Sequence, residues 1–355
     1  MCFQSDEVVR SCVLIERGLR ITPDGINCCC GGGMLSPLLI TADELSQGRF
    51  SFDLLVERRR NLFMAINGKG TTNPGMCMNC ALVKEKKFAD VDFEHVGGVD
   101  NKKAGASSFI LGLTNECNMR CIYCSINKNH NFVPLSFDMV SILEKIKNQD
   151  RSLYSPNIEL LGGEPTILPE FDSILAYLIN NKFGHVYLTS NSLVYKQCVY
   201  DYLAQNQISL ITSLDAGTPS SFKKIRGSHT MHRVMDNLIR YRNSGTRRMF
   251  LKYIIGPWNL DDDNLYGFLF FVCAIKPNFL IISLDVSLNE YSKDMVLFGA
   301  KLYLLVRKYI NCNIVFYSDG KTAKKFNAYS RNVRNKIEEL KKSSYYCKLL
   351  KIASF

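Results

Sequence analysis

From residue 106 onward the sequence alternates short apolar, strand-like runs with segments of helical periodicity, and this alternation limits the fold more than any other feature. Strand-like runs fall at 108–113, 158–161, 185–188, 208–214, 249–255, 280–286 and 314–317. Helical spacing fills the gaps at 136–147, 171–180, 194–204, 232–241, 262–273 and 294–309. Ser136 reads as the N-cap of the first of these helices, above an apolar stripe through Val140, Leu143 and Ile146. Repeated β–α units set successive strands parallel, joined by right-handed crossovers. Six or seven such units predict an α/β fold on an incomplete (β/α)6-type TIM barrel, not a closed eight-unit one.

The first hundred residues differ in kind. They contain CCCGGG at 28–33, the turn-rich NGKGTTNPG at 67–75 and, at 97–105, the polar linker GGVDNKKAG. A helical segment is predicted within 42–66, with Thr41 or Ser51 as its cap. Leu19-Arg20-Ile21-Thr22-Pro23-Asp24-Gly25 reads as a strand entering a tight hairpin turn. A chain of 355 residues has room for one large domain and a smaller one. The expected organisation is a cysteine-rich domain at 1–100, the barrel core at 106–290 and an extension at 291–355 that completes or covers it.

No apolar run approaches the roughly 18 residues that span a bilayer. The N-terminal MCFQSDEVVR carries charge where a signal peptide needs an apolar segment, so a cytoplasmic location without membrane association is expected. The net charge of +11 fits a basic surface or a partner bearing phosphate or carboxylate. Its lysines and arginines are scattered with no aromatic-and-basic RNA motif, and nucleic acid is not an expected partner. Of fourteen cysteines, eight crowd into three short stretches: Cys28 to Cys30, Cys77 with Cys80, and Cys117 with Cys121 and Cys124. Clustered thiols in a reducing compartment point to soft-metal ligation rather than to disulfides.

The last of these clusters follows the strand-like run at 108–113 directly. Cys117, Cys121 and Cys124 are spaced x3 and x2 in one tight loop, so three thiolates can converge on one face of an iron–sulfur cubane. A cubane needs four ligands; three leave one iron open to chelate the amino and carboxylate groups of a small molecule. A zinc loop is the alternative; it needs a fourth local ligand, for which His130 is the candidate.

Cys117-Asn118-Met119-Arg120-Cys121-Ile122-Tyr123-Cys124 resembles the C-x3-C-x2-C signature of the radical S-adenosylmethionine (radical SAM) superfamily, including the aromatic Tyr123 before the last cysteine. Gly162-Gly163-Glu164-Pro165, after the second strand, is similar to the family's GGE motif. The resemblance implies that it binds the methionine amino group, with glycines because a Cβ would block the ligand's approach to the backbone. Segments 188–192, 213–219 and 223–227 resemble those contacting the cofactor's ribose and carboxylate, with Ser190, Asn191, Ser213 and Asp215 as candidates. Each of these residue types also serves as a helix cap or turn former. Segment 251–257 resembles the strand that flanks the adenine.

The resemblance covers roughly residues 106–290 and implies an enzyme. S-adenosylmethionine chelates the open iron of a [4Fe–4S] cluster, is cleaved by one electron to a 5′-deoxyadenosyl radical, and that radical abstracts hydrogen from a substrate. The implied partners are a reducing electron donor such as flavodoxin or ferredoxin and a substrate, either a peptide or protein or an anionic small molecule such as a sugar derivative. No acid–base residue is assigned. The alternative from another class is a non-catalytic iron–sulfur or zinc protein for electron transfer or structure. A simple electron carrier has no use for the GGEP and SLDAG segments.

Cys12, Gly25, Cys30, Cys77 and Cys80 resemble the cysteine pattern of the SPASM and twitch auxiliary-cluster domains of the same superfamily. Such a domain usually follows the barrel, whereas here it precedes it. The resemblance implies a second [4Fe–4S] cluster on Cys12, Cys30, Cys77 and Cys80. Cys28 or Cys29 is an alternative to Cys30, and a four-cysteine zinc site is an alternative to iron.

Overall fold

The computed structural model describes residues 3–29, 37–80, 82–93, 96–97, 109–128, 133–148, 153–154, 157–316, 323–344 and 349. The chain divides into two compact units, Met1–Glu116 with Asn131–Tyr187, and Cys117–His130 with Leu188–Phe355.

The first unit opens with β1 (Val8–Ser11), α1 (Val13–Arg17) and the predicted hairpin of β2 (Leu19–Thr22) and β3 (Gly25–Asn27). Gly25 turns that hairpin at φ +130, and a Cβ there would lie 2.2 Å from the Ile40 carbonyl oxygen, so only glycine fits. β4 (Leu38–Thr41) adds to β3 antiparallel, with a bulge at Ile26/Asn27. The segment expected as one helix is two, α2 (Ala42–Ser46) and α3 (Phe52–Ile66), and both anticipated caps are used. Thr41 and Glu44 form a capping box, while the Ser51 hydroxyl accepts the Leu54 N–H at 3.1 Å.

β5 (Lys84–Lys87) pairs antiparallel with β1. Then come β6 (Val96–Gly97), β7 (Phe109–Gly112), β8 (Leu153–Tyr154) and β9 (Asn157–Leu161), with β6 and β8 parallel partners. β7 pairs in parallel with β2 on one side and β9 on the other, giving the order β4-β3-β2-β7-β9. Strands of the cysteine-rich segment and the first core strands thus share a sheet. The unit's other helices are α4 (Met139–Lys147) and α5 (Phe171–Asn180).

One cap differs from expectation. α4 is capped by Asp138, whose carboxylate accepts the Val140 and Ser141 N–H groups at 2.9 and 3.2 Å, and Ser136 lies outside the helix. The buried stripe is Met139, Ile142, Leu143 and Ile146, with Phe137 buried ahead of it. Asp138 wins because it stands directly before the first apolar position of that stripe, where its carboxylate reaches two unsatisfied donors. Most of the linker expected at 97–105 lies outside the described residues, as does His130.

β10 (His185–Thr189) carries the chain into the second unit, where helices follow strands in repeated β–α units, with two successive helices between β11 and β12. Its elements are α6 (Gln197–Ala204), β11 (Ile208–Ser213), α7 (Pro219–Arg226), α8 (Met231–Arg242), β12 (Met249–Ile255), α9 (Asp262–Ile275), β13 (Phe279–Leu284), α10 (Lys293–Tyr309), β14 (Asn313–Phe316) and α11 (Ala323–Lys341). β11, β12, β13 and β14 pair in parallel, as repeated β–α units require. The parallel β/α succession is that of the expected incomplete (β/α)6-type barrel. β12 alternates buried and half-buried positions, and its Tyr253 packs edge-on against Phe268 of α9 at 4.5 Å. Each such ring withdrawn from water contributes about 1.5–3 kcal/mol. Among the described residues no helix is long and apolar enough to cross a membrane.

Candidate functional site

Cys117, Cys121 and Cys124 occupy one loop of the second unit, half-buried and in no disulfide. The loop is stitched on both sides of Cys121 to the end of α7. The Arg120 N–H donates to the Arg226 carbonyl at 3.0 Å and the Ile122 N–H to the Ile225 carbonyl at 3.0 Å. Gly227 ends α7 at φ +67, and a Cβ there would meet the Arg120 carbonyl oxygen at 2.7 Å, so glycine permits this close approach. Arg120 also folds back to its own loop, its Nη1 donating to the Cys117 carbonyl at 2.5 Å.

Beyond β10, Asn191 reaches the same loop. Its Nδ2 donates to Asn118 Oδ1 at 2.6 Å and lies 3.8 Å from the Cys117 sulfur, while its Oδ1 accepts the Leu193 N–H at 2.9 Å. Ser190 is buried, and its hydroxyl accepts the Ser192 N–H at 3.0 Å. Ser213 is half-buried at the end of β11, in register with Lys252 of β12.

Asp215 follows β11 in a left-handed conformation, φ +58, and is fully buried. Its Oδ2 accepts from the Tyr123 hydroxyl and from Arg226 Nη1, the latter at 3.0 Å, and its Oδ1 accepts the Ile254 N–H at 2.7 Å. Arg226 Nη1 also donates to the Tyr123 hydroxyl. Both carboxylate oxygens therefore face protein donors, and one of these comes from the cysteine loop. Arg226 is 6% exposed, and burial works against its charge, but the field of Tyr123, Cys121 and Asp215 prevails and holds it firmly protonated. Burial pushes the Cys121 thiol up to about 11, opposed by Arg226.

The turn after β12 completes this cluster. Asn259 donates to the Asp215 and Ile254 carbonyls at 2.9 Å each and accepts the Gly256 N–H at 3.1 Å. Trp258 stacks on Tyr123, centroids 6.0 Å apart and 17° between planes, and covers Gly256 so closely that a Cβ would lie 2.2 Å from the indole. Arg226, Trp258 and Asn259 were not singled out from sequence. Arg226 lay in a segment read for its resemblance to cofactor-contacting chain, and nothing local distinguishes Asn259 from an ordinary turn residue.

In the first unit, Gly162-Gly163-Glu164-Pro165 packs against its own preceding loop. The Gly163 N–H donates to the Thr114 carbonyl at 2.5 Å and the Glu164 N–H to the Glu116 carbonyl at 2.7 Å. A Cβ on Gly162, whose φ is +140, would lie 2.5 Å from the Thr114 carbonyl oxygen, and one on Gly163 would lie 1.9 Å from that of Glu116. The space glycine leaves is thus filled by the chain's own carbonyls. Glu164 is buried, its Oε1 accepting from the Thr166 hydroxyl at 2.6 Å and N–H at 3.3 Å, and Pro165 opens a single 3-10 turn.

The same unit gathers the N-terminal thiols. Cys12, Cys28, Cys29 and Cys77 are buried and Cys80 is half-buried, whereas Cys30 lies outside the described residues. Cys29 and Cys80 lie within electrostatic reach of Cys12, and Cys29, Cys77 and Cys12 within reach of Cys28. Burial pushes Cys12 up to about 11 and Cys28 well above the usual thiol range. The fully buried guanidinium of Arg59 donates to the Gly18 carbonyl at 2.6 Å and stands within electrostatic reach of Cys28. Burial lowers Arg59 to about 10, and Cys28 and Asp92 oppose that shift.

Among the described residues no three Cys, His, Asp or Glu side chains are grouped to hold a single metal ion. A cubane differs from a single ion in presenting separate iron corners, so its thiolates need not converge on a point. The Cys117, Cys121 and Cys124 set fits a three-ligand cubane in donor chemistry: three soft thiols on one loop beside a buried cation.

The Radical SAM superfamily model matches residues 111–269. A probable GTP 3',8-cyclase of Saccharolobus islandicus (strain Y.N.15.51 / Yellowstone #2) is 25% identical over 154 residues, 43% of this chain and 49% of that protein. The GTP 3',8-cyclase of Tolumonas auensis (strain DSM 9187 / NBRC 110442 / TA 4) is 26% identical over 163 residues, 46% of this chain and 48% of that one. The chain spans about half the length of these curated relatives. Among solved structures, Streptococcus suis SuiB bound to S-adenosylmethionine superposes with a TM-score of 0.48 at 17% identity, covering 63% of this chain and 54% of SuiB. The family model thus marks a radical SAM superfamily domain at residues 111–269, which holds the cysteine loop and the β10 to β12 part of the β/α succession.

Proposed function

We propose that Cys117, Cys121 and Cys124 hold a [4Fe–4S] cluster through three of its irons, and that this radical SAM enzyme acts on an anionic small molecule. The observation that carries the first part is the trio of thiols in a loop stitched to the end of α7 and anchored by Tyr123 on the buried Asp215–Arg226 pair. When bound, the cluster supplies the electron for reductive cleavage of S-adenosylmethionine and the hydrogen abstraction that follows. Within the protein, Asn191 orients the first cysteine, and Tyr123, Arg226 and Asp215 fix the loop around the other two. Ser190 and Asn191, beyond β10, and Ser213, at the end of β11, are read as cofactor contacts, because active sites of parallel β/α folds gather at strand C-terminal ends. Gly162, Gly163, Glu164 and Pro165, beyond β9, belong to the same reading. Asp215 contributes by positioning, since its oxygens already accept from protein donors.

Two observations favour an anionic substrate: the net charge of +11, and relatives named for action on GTP. Radical SAM enzymes need a reductant, and we infer flavodoxin or ferredoxin in a reducing cytoplasm, where the described free thiols persist. For residues 1–100 we infer an auxiliary iron–sulfur cluster on Cys12, Cys77, Cys80 and one of Cys28, Cys29 and Cys30. Its support is the mutual electrostatic influence of these thiols beside Arg59.

The test is anaerobic reconstitution followed by dithionite and S-adenosylmethionine, with 5′-deoxyadenosine measured by chromatography. Cys117→Ala, Cys121→Ala and Cys124→Ala each abolish its formation; retained cleavage in all three overturns the assignment. Nucleoside triphosphates should stimulate cleavage, whereas stimulation by peptides alone moves the substrate class. Two clusters correspond to about eight irons per chain; about four irons with stoichiometric zinc removes the auxiliary cluster.

A further inference from the structure

We propose that the exposed cations beside the cysteine loop, Arg120, Lys223, Lys224 and Arg233, together with the exposed Ile122, form the docking face for an acidic one-electron carrier protein. The inference rests on the radical SAM reading and deepens it by saying where the reducing electron enters. Residues 117–128 and 219–233 hold six lysines and arginines and no aspartate or glutamate. Arg226 is taken up by the buried clamp with Asp215 and Tyr123. Arg120, Lys223, Lys224 and Arg233 are exposed, and among the described residues none of the four has a carboxylate within ion-pair distance. The carboxylates that border these stretches, Glu116 and Asp236, are outnumbered by the four.

The backbone holds this face next to the thiols. The Arg120 and Ile122 N–H groups donate to the Arg226 and Ile225 carbonyls at 3.0 Å each, and a Cβ on Gly227 would lie 2.8 Å from that of Arg120. Lys223 and Lys224 stand in the last turn of α7, and Arg233 in the first turn of α8. Ile122 directly follows Cys121 and is 43% exposed, an apolar side chain left in solvent between two of the thiol positions. The dipole of α7 favours lysines in its last turn, but it accounts for neither Arg120 nor Arg233. Redox partners meet through small, transient interfaces, under about 1,200 Å² in total, and complementary charge speeds their encounter. A few cations around one apolar side chain suit such a contact with an acidic protein. Single-stranded nucleic acid would use stacking surfaces as well as charge, and the aromatic residues Phe222 of α7 and Tyr241 of α8 are buried. A carrier seated here gives up one electron and is oxidised; the centre held by the thiols takes it and is reduced, and no proton or group crosses the interface.

The test is binding of two acidic carriers, a flavodoxin and a [2Fe–2S] ferredoxin, to the full chain by biolayer interferometry over a sodium chloride series, with metal-free and with anaerobically reconstituted protein. At least one carrier should bind wild type, and its affinity should fall steeply as salt rises. Lys223→Glu with Lys224→Glu should weaken binding at low salt by roughly tenfold or more, chiefly through slower association, and Arg233→Glu should act in the same direction. The control is Arg247→Glu with Lys276→Glu, an equal change of charge at exposed sites ahead of β12 and β13. Arg247 lies about 20 Å along β12 from Ile254, whose N–H meets Asp215, so the control should bind within about twofold of wild type. In stopped-flow absorbance the lysine variant should be reduced more slowly by the reduced carrier, and at the wild-type rate by photoreduced deazaflavin, which needs no docking face. Wild-type binding by the lysine variant, equal loss in the control, or no binding of either carrier overturns the inference. RNA held by wild type and lost by the lysine variant, with carrier binding unchanged, makes this a nucleic-acid surface instead. Reconstituted wild type that assembles no three-thiolate cluster sinks the radical SAM reading itself, whatever the carriers do.

Discussion

Gly163→Ala tests the tightest backbone approach in the first unit. The added methyl would stand 1.9 Å from the Glu116 carbonyl oxygen, so the two segments must separate by about 1.5 Å before any ordinary contact is reached. The obstacle is backbone, and no rotamer can relieve it. The two segments are also bonded, through Gly163 N–H to the Thr114 carbonyl at 2.5 Å and Glu164 N–H to the Glu116 carbonyl at 2.7 Å. Overpacking costs about 1–3 kcal/mol, and each hydrogen bond stretched or lost adds about 1 kcal/mol, for a total of roughly 2–5 kcal/mol. Urea unfolding of the metal-free protein reads this as a lower midpoint at unchanged slope. Gly48→Ala is the control: at φ +73 with nothing within 4 Å of the new methyl, it bears only backbone strain, about 1–2 kcal/mol. A Gly163→Ala protein within about 0.5 kcal/mol of wild type refutes the reasoning, because the two segments must then separate freely.

Tyr123→Phe removes a hydroxyl shared by Asp215 and Arg226 and should cost about 1.5–3 kcal/mol in urea unfolding, the range for hydrogen bonds to charged groups; an unchanged midpoint counts against the clamp. Asn264→Ala strips partners from the Gly217 N–H, Asp261 and Ser221 at 2.8, 2.7 and 3.0 Å, and calorimetry should show a loss of roughly 2–4 kcal/mol. Because burial holds Cys121 up to about 11, its alkylation in metal-free protein should be slow near neutrality and rise about tenfold per pH unit toward that value, followed by peptide mass spectrometry. The same shift makes the folded state favour the protonated thiol. Its contribution to stability is present below the ordinary value of 9.0 and fades as pH climbs through about 11, so a metal-free protein growing more stable over that window contradicts it.

Periodicity carried most of the fold. β12 spans the expected residues, and α5 matches its apolar spacing end to end. The misplaced cap at Ser136 arose because serine and aspartate both cap well, and only the position of Met139 on the buried stripe decides between them. The candidate site was partly legible: spacing alone singles out the thiol trio, which the fold keeps on one half-buried loop. The contacts of Asp215 were hidden, since its partners Tyr123, Arg226 and Ile254 come from three separate segments that only folding brings together. The glycines at 162 and 163 look the same in sequence whether a ligand or the chain's own carbonyls need the space; the close approaches of Thr114 and Glu116 are visible only in three dimensions.

Trp258 is the single tryptophan of the chain, and it rests on the ring of the one residue between Cys121 and Cys124 apart from Ile122. Its emission therefore reports on that loop alone, with no other indole to dilute the signal. An iron–sulfur chromophore arriving beside it should quench the light by energy transfer, and a displaced Tyr123 should restore it. The protein thus carries an internal optical gauge of metal loading that works in dilute solution without any label.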